Sequence, residues 1–173
     1  VFYSRILTKG KYLMTALSDY LESGLLHHIF RGQDFNKPSG VTIALCSGVP
    51  SESDTGETIP ELPVSIDGAD TGYERYVLGR PNDVAGGTAS GDFYWTYDIA
   101  DHNAGSGLIK NSNTLIFSNA LVDWGWVSGI AVCDSGEVGS GNMLMYAELN
   151  NPRIIYKGDS VKFDSSTLQI SFK

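Results

Sequence analysis

Residues 14–32 read M-T-A-L-S-D-Y-L-E-S-G-L-L-H-H-I-F-R-G, and this stretch decides how the rest of the chain is read. Leu17, Tyr20, Leu21, Leu25, His28 and Ile29 recur at helical spacing, which predicts one amphipathic helix over about residues 16–30. Thr15 is the expected N-cap, its oxygen accepting from a free backbone N–H of the first turn, and Asp19 and Glu22 sit near the positive end of the helix dipole. Gly32 is the expected stop. Beyond it come only short β-like runs broken by Gly, Ser, Asn and Asp. One helix followed by eight or nine short strands predicts a mainly β fold, an antiparallel β-sandwich with the helix packed on or across one edge.

Size and composition bound this reading. The 173 residues suit one domain with its own core, and 42% hydrophobic content excludes a disordered chain. No apolar run approaches the roughly 20 residues that span a bilayer, so no membrane partner is expected. The formal charge of −8 and the scattered Lys and Arg argue against nucleic-acid binding. The opening V-F-Y-S-R-I-L-T-K-G-K-Y-L is basic and apolar but lacks a cleavage site, so residues 1–13 are expected to be an N-terminal arm or upstream extension. Residues 14–173 form the expected single helix-plus-β-sandwich domain.

Within that domain Val41–Cys46 is an expected central strand, with Val41, Ile43 and Leu45 on one side and small Thr42 and Ala44 between. Residues 51–74 hold Glu52, Asp54, Glu57, Glu61, Asp67, Asp70 and Glu74 without a Lys or Arg, and Pro60 and Pro63 keep the stretch extended. A loop that long in a compact domain is usually functional or mobile. Residues 79–92 form a second loop, F-Y-W-T-Y-D-I (93–99) an aromatic strand, and W-G-W-V-S-G-I-A-V-C (124–133) the most apolar and hence central strand. M-L-M-Y-A-E-L, R-I-I-Y, V-K-F-D and L-Q-I-S-F follow as separate strands. The expected core is Leu17, Leu21, Leu25, Ile43, Leu45, Ile130, Val132, Leu144, Tyr146, Leu168 and Ile170.

No chemistry-bearing constellation emerges, so no catalytic, cofactor or metal residues are assigned and no cofactor is expected. His27 and His28 are adjacent on the helix, about 100° apart, and cannot readily share a metal. His102 lies in a turn with Asp98, Asp101 and Asn103, where solvation is the simpler account. Asp98 and Asp101 are the conceivable carboxylate pair for a hydrolase, but nothing in the sequence sets them across a cleft. D-G-A-D-T-G (67–72) offers Asp67 and Asp70 as weak Ca²⁺ ligands without the calcium-loop pattern. These acids, His102 and the cysteines are expected to hold no essential metal. Cys46 and Cys133 end two I-A-x-C segments that look like pairing partners; buried free thiols are the simpler reading, and a bridge is left to geometry. Trp95, Trp124 and Trp126, with Tyr73, Tyr76, Phe93, Tyr94 and Tyr97, make either core or a sugar-stacking platform. Trp124 and Trp126 are expected to share a strand face, at least one of them packing under the helix.

Three segments carry a family resemblance: A-L-S-D-Y-L-E-S-G-L-L-H-H-I-F-R-G with K-P-S-G-V-T-I-A-L-C-S-G-V-P-S-E-S-D-T-G; T-G-Y-E-R-Y-V-L; and W-G-W-V-S-G-I-A-V-C-D-S-G with G-N-M-L-M-Y-A-E-L. The chain resembles a family of small tailed-bacteriophage and prophage virion proteins, often labelled tail-fibre proteins, over residues 14–173. The resemblance implies a non-enzymatic virion protein that works among other virion proteins, either the major capsid protein or tail proteins, and brings no catalytic residues with it. Compact size and the lack of a heptad seam, collagen repeat or β-helix period then favour a capsid decoration (cement) protein bridging shell subunits, as a homo-oligomer such as a trimer. The alternative is a tail-fibre or receptor-binding module with a glycan partner.

Overall fold

The computed structural model describes residues 12–14, 16–35, 38, 40–79, 95–97, 108–111 and 113–171. Among the described residues, thirteen strands and one helix run in the order β1 (Tyr12–Met14), β2 (Ala16–Leu17), α1 (Asp19–Arg31), β3 (Val41–Cys46), β4 (Ser65–Ile66), β5 (Ala69–Asp70), β6 (Tyr76–Gly79), β7 (Trp95–Tyr97), β8 (Leu108–Asn111), β9 (Leu115–Ile116), β10 (Gly125–Cys133), β11 (Met143–Ile155), β12 (Lys162–Phe163) and β13 (Leu168–Ser171). The described fold is mainly β with one N-terminal helix, but its strands divide among four sheets rather than closing into one sandwich. These are β1-β13-β8-β7, β2-β11-β10-β3-β6 and the pairs β12-β9 and β4-β5. Every pairing is antiparallel except β1 with β13, a parallel contact that the strand pattern does not suggest.

The middle of the five-stranded sheet is where the expected central strands fall. β3 and β10 pair with Ile130 opposite Leu45 and Val132 opposite Ile43, so the two I-A-x-C segments are partners as their sequences indicate. Ile43, Leu45, Ile130 and Val132 enter the main core with Leu149, Ile155, Phe163, Leu168 and Ile170. The alternate residues Ala44, Cys46, Ala131 and Cys133 are just as buried, in a smaller cluster with Ile59 and Met143 on the other face. Small residues let residues 48–50 lie close to the sheet and the acidic loop lie close to the β10–β11 connection. A Cβ on Gly129 would clash with the Gly48 carbonyl oxygen, and one on Gly56 with that of Ser140. Gly56→Ala is therefore expected to destabilise by about 1–3 kcal/mol, the usual range for overpacking. A urea melt showing no change would mean that the acidic loop can move away from the β10–β11 connection at no cost.

β11 runs through the segment expected to break it. Gly129 pairs with Glu148 and Val127 with Arg153, so residues 149–152 bulge out of the ladder and absorb Pro152 without ending the strand. Of the expected core, Leu17 and Leu25 are only partly buried, though packed on the main cluster, and Tyr146 is half-buried against the smaller one.

The helix starts later than its spacing indicates, because residues 16–17 are drawn into β2 beside Met145 and Tyr146. Ser18 is the N-cap in place of Thr15, which lies outside the described residues: fully buried, it accepts from the Leu21 N–H at 3.2 Å. Its hydroxyl in turn donates to the Met143 carbonyl, and its N–H to that of Leu144 at 3.1 Å. Asp19 and Glu22 occupy the first turn, and Gly32, at φ 62°, ends the helix as expected. The inward stripe is narrower than the sequence pattern. Leu21 is buried and Leu25 partly so, whereas Ile29, turned about 80° from Leu21 around the axis, is 66% exposed. Phe35 folds back over the open position at Gly24, its ring centroid 5.8 Å from that of Tyr20.

Candidate functional site

The densest polar arrangement among the described residues is centred on Arg75, a residue the acidic-loop reading passes over. The segment 71–75 runs extended into β6 with alternating burial: Thr71, Tyr73 and Arg75 point in, and Glu74 points out. Gly72 permits this path, since its φ is 70° and a Cβ there would meet the Asn119 carbonyl oxygen at 2.9 Å. The Arg75 guanidinium, with the residue 2% exposed, then satisfies all five N–H groups. Nε donates to Glu61 Oε1 at 2.8 Å and Nη2 to Glu61 Oε2 at 2.7 Å, a bidentate pair. Nη2 also donates to the Gly56 carbonyl at 2.7 Å, and Nη1 to the carbonyls of Ser135 and Ser140 at 3.0 and 2.8 Å. Glu61 takes two more donors, the Tyr73 hydroxyl at 2.8 Å and the Gly139 N–H at 3.3 Å. Tyr73 accepts from the Leu45 N–H at 2.9 Å, which anchors the network to the centre of β3. Burial, and then the charge of Glu61, push the Tyr73 phenol well above its ordinary value, so it stays a donor.

One buried ion pair thus ties three segments together: the acidic loop at Gly56 and Glu61, the 71–75 segment, and the 134–142 loop. That last loop is closed further by Asp134, which accepts from the Asn142 N–H at 2.7 Å and from its side chain at 2.8 Å. Asp54 belongs to the same loop system, accepting from the Ser51 N–H at 2.7 Å and from Thr58 Oγ1 at 3.1 Å. Every charge at this centre is matched and every donor used. The arrangement has structural uses and no catalytic ones: it offers no unpartnered nucleophile, base or acid.

The residues considered from sequence are dispersed. Asp67 and Gly68, at φ 50° and 78°, form the tip of the exposed β4–β5 hairpin, the tight turn that an Asp-Gly pair favours. The Asp70 carboxylate accepts from the Gly72 N–H at 2.8 Å. His27 Nδ1 lies 2.7 Å from Gln33 Oε1 and His28 Nδ1 3.1 Å from the Gln33 carbonyl, so both hold the helix exit. Among the described residues no group of three or more His, Cys, Asp or Glu side chains is placed to hold a metal ion. His102, Asp98, Asp101, Phe93 and Tyr94 lie outside the described residues, and of Trp95 and Tyr97 only the backbone, in β7, is described.

The aromatic platform does not assemble as one. Trp124 precedes β10 and is buried, its Nε1–H donating to the Thr71 carbonyl at 2.7 Å and its ring standing edge-on to Tyr73, with centroids 5.6 Å apart. Trp126 is 56% exposed. The two do not share a face because Gly125, at φ 79°, turns the chain between them. Trp124 packs beside the arginine centre, with Tyr73, and shares the main core cluster with Leu21 of the helix.

Cys46 and Cys133 are both buried and free. Cys133 is opposite Thr42, four residues from Cys46, which separates the two by roughly 13 Å along the strands. A disulfide needs Cα atoms within about 7 Å. Burial raises both thiols, that of Cys133 to about 12. Neither is expected to react with a thiol reagent at pH 8 in the native protein, and both should react in guanidinium chloride. Rapid native labelling of either would contradict the burial of the small-residue face.

Against known proteins, no curated sequence matches the chain significantly. A family model described as "Podophage GP4 fiber I protein gp80" matches residues 16–171. This match overturns the capsid-cement expectation: the lack of a shaft-forming repeat excludes a shaft from this chain but not a globular part of a fibre. Parts of the three segments that carry the resemblance, S-E-S-D-T-G, T-G-Y-E-R and the loop after W-G-W-V-S-G-I-A-V-C, meet at Arg75 and Glu61. The chain belongs to the Gp80 family of podophage fibre proteins, non-enzymatic structural components of the virion.

Proposed function

We propose that the chain is a tail-associated fibre module that works through protein–protein contact, presenting a rigid β body whose loops are fixed by the Arg75–Glu61 pair. The observation that carries this reading is the extent of the family match, residues 16–171, which runs from β2 to β13 and takes in every described sheet. Two structural inferences go with it. Residues from 14 onward act as one folded unit, which Tyr12 and Leu13 join through β1, and the two larger sheets face each other as a β-sandwich, since Ile109, Leu168 and Ile170 of one share a hydrophobic cluster with Ile43, Ile130 and Ile155 of the other.

Quantitative mass spectrometry of purified virions tests the reading. The expected result is a copy number equal to a small symmetric oligomer or a few of them, far below the major shell protein. A copy number matching that of the shell protein would contradict it.

A further inference from the structure

The side of α1 turned away from the sheet is not ordinary polar surface. Leu26, Ile29 and Phe30 are 55%, 66% and 78% exposed. At about 100° per residue they share one face, and Asp19 and Glu22 lie within roughly 35° of its centre, toward the N-terminal end. On the helix the nearest basic side chains are His27, about 110° away, and Arg31, about 150° away. The solvent face is therefore apolar in its C-terminal half and acidic in its N-terminal half. The neighbouring loop adds to the acidic half, because the Asp19 N–H donates to the Glu52 carbonyl at 2.9 Å and brings residues 51–54 alongside. Tyr146, next to this end, is raised first by its partial burial and then by the charges of Glu52, Glu22, Asp19 and Asp54.

These features select the occupant. A second copy laid parallel would set Asp19 and Glu22 against the same groups, and an antiparallel copy would bury carboxylates against Leu26, Ile29 and Phe30 with no cation to pair them. Three apolar side chains alone cover far less than the roughly 800 Å² that each partner of a specific interface contributes, so the acidic half must take part in any stable contact. We propose that this face docks a basic amphipathic segment of a different virion protein, its apolar side chains on Leu26, Ile29 and Phe30 and its Lys or Arg groups beside Asp19 and Glu22. The proposal rests on the chain acting within an assembled virion.

The test is photo-crosslinking in virions that carry benzoylphenylalanine at position 30, with the adducts mapped by mass spectrometry. The expected adduct joins position 30 to a Lys- or Arg-containing segment of another virion protein. Glu22→Lys and, separately, Phe30→Ser should each lower incorporation into particles by about tenfold, the scale of a change near 1.4 kcal/mol. Phe30→Ser removes mostly exposed surface, so it reports on docking even if Glu22→Lys lowers the unfolding midpoint. Adducts confined to this chain, whether to a second copy or to its own residues 1–11, would overturn the proposal, as would incorporation of Phe30→Ser at the wild-type level. Gold labelling of the same particles judges the fibre reading separately: label on the head would defeat that reading, while the crosslinked partner would still decide whether the helix face docks a basic segment.

Discussion

Arg75→Ala is expected to lower the unfolding free energy by about 3–5 kcal/mol, the usual cost of removing one partner of a buried ion pair. The cause is what remains behind. The Glu61 carboxylate would stay under the 134–142 loop with Tyr73 and Gly139 as its remaining donors, the carbonyls of Gly56 and Ser140 would lose the guanidinium, and that of Ser135 would keep the Thr42 hydroxyl. Domains are stable by only about 5–15 kcal/mol, so a loss of this size consumes much of the margin. Replacing both members, as Arg75→Met with Glu61→Leu, should cost less than the two single changes added together, because no isolated charge is left buried. Urea unfolding of the single and double variants measures this. A loss below about 1 kcal/mol for Arg75→Ala would show that the ion pair does not hold the loops.

Ile130→Ala should cost about 2–5 kcal/mol, the range for truncating a buried aliphatic side chain. Ile130 is fully buried in the middle of β10, with Leu45 opposite it on one side and Ala147 on the other. The sheet is covered on both faces there, so collapse around the cavity is limited. A loss below about half a kcal/mol would mean that β10 is not central to the core.

The parts of this fold that are legible in sequence are those set by local pattern. V-T-I-A-L-C and W-G-W-V-S-G-I-A-V-C announce buried strands by composition, and Gly32 announces a helix end. Pattern fails where a distant partner decides. Thr15 reads as well as Ser18 for an N-cap until the pairing of Ala16 and Leu17 with β11 is known. Ile29 fits the apolar period, but only the width of the surface beneath the helix determines that it stays outside. Trp124 and Trp126 alternate like strand neighbours, and the positive φ of Gly125 breaks the alternation.

The arginine centre is the largest omission of the sequence reading. Seven acids between residues 51 and 74 read as one solvated run, and nothing local separates Glu61 from the other six. One usable signal is present: Arg75 ends that run and falls on the inward phase set by Thr71 and Tyr73. An inward arginine in a strand requires a buried carboxylate or a cluster of carbonyls, and Glu61 supplies the first while the 134–142 loop helps supply the second. The T-G-Y-E-R segment is thus accounted for by packing and charge neutralisation.

The central claim is that this domain is a fibre component carried by the tail, and immunogold electron microscopy of intact virions with an antibody to the folded domain tests it most directly. Gold particles should cluster at the tail end of the particle and leave the head unmarked. Label distributed over the head would contradict the account.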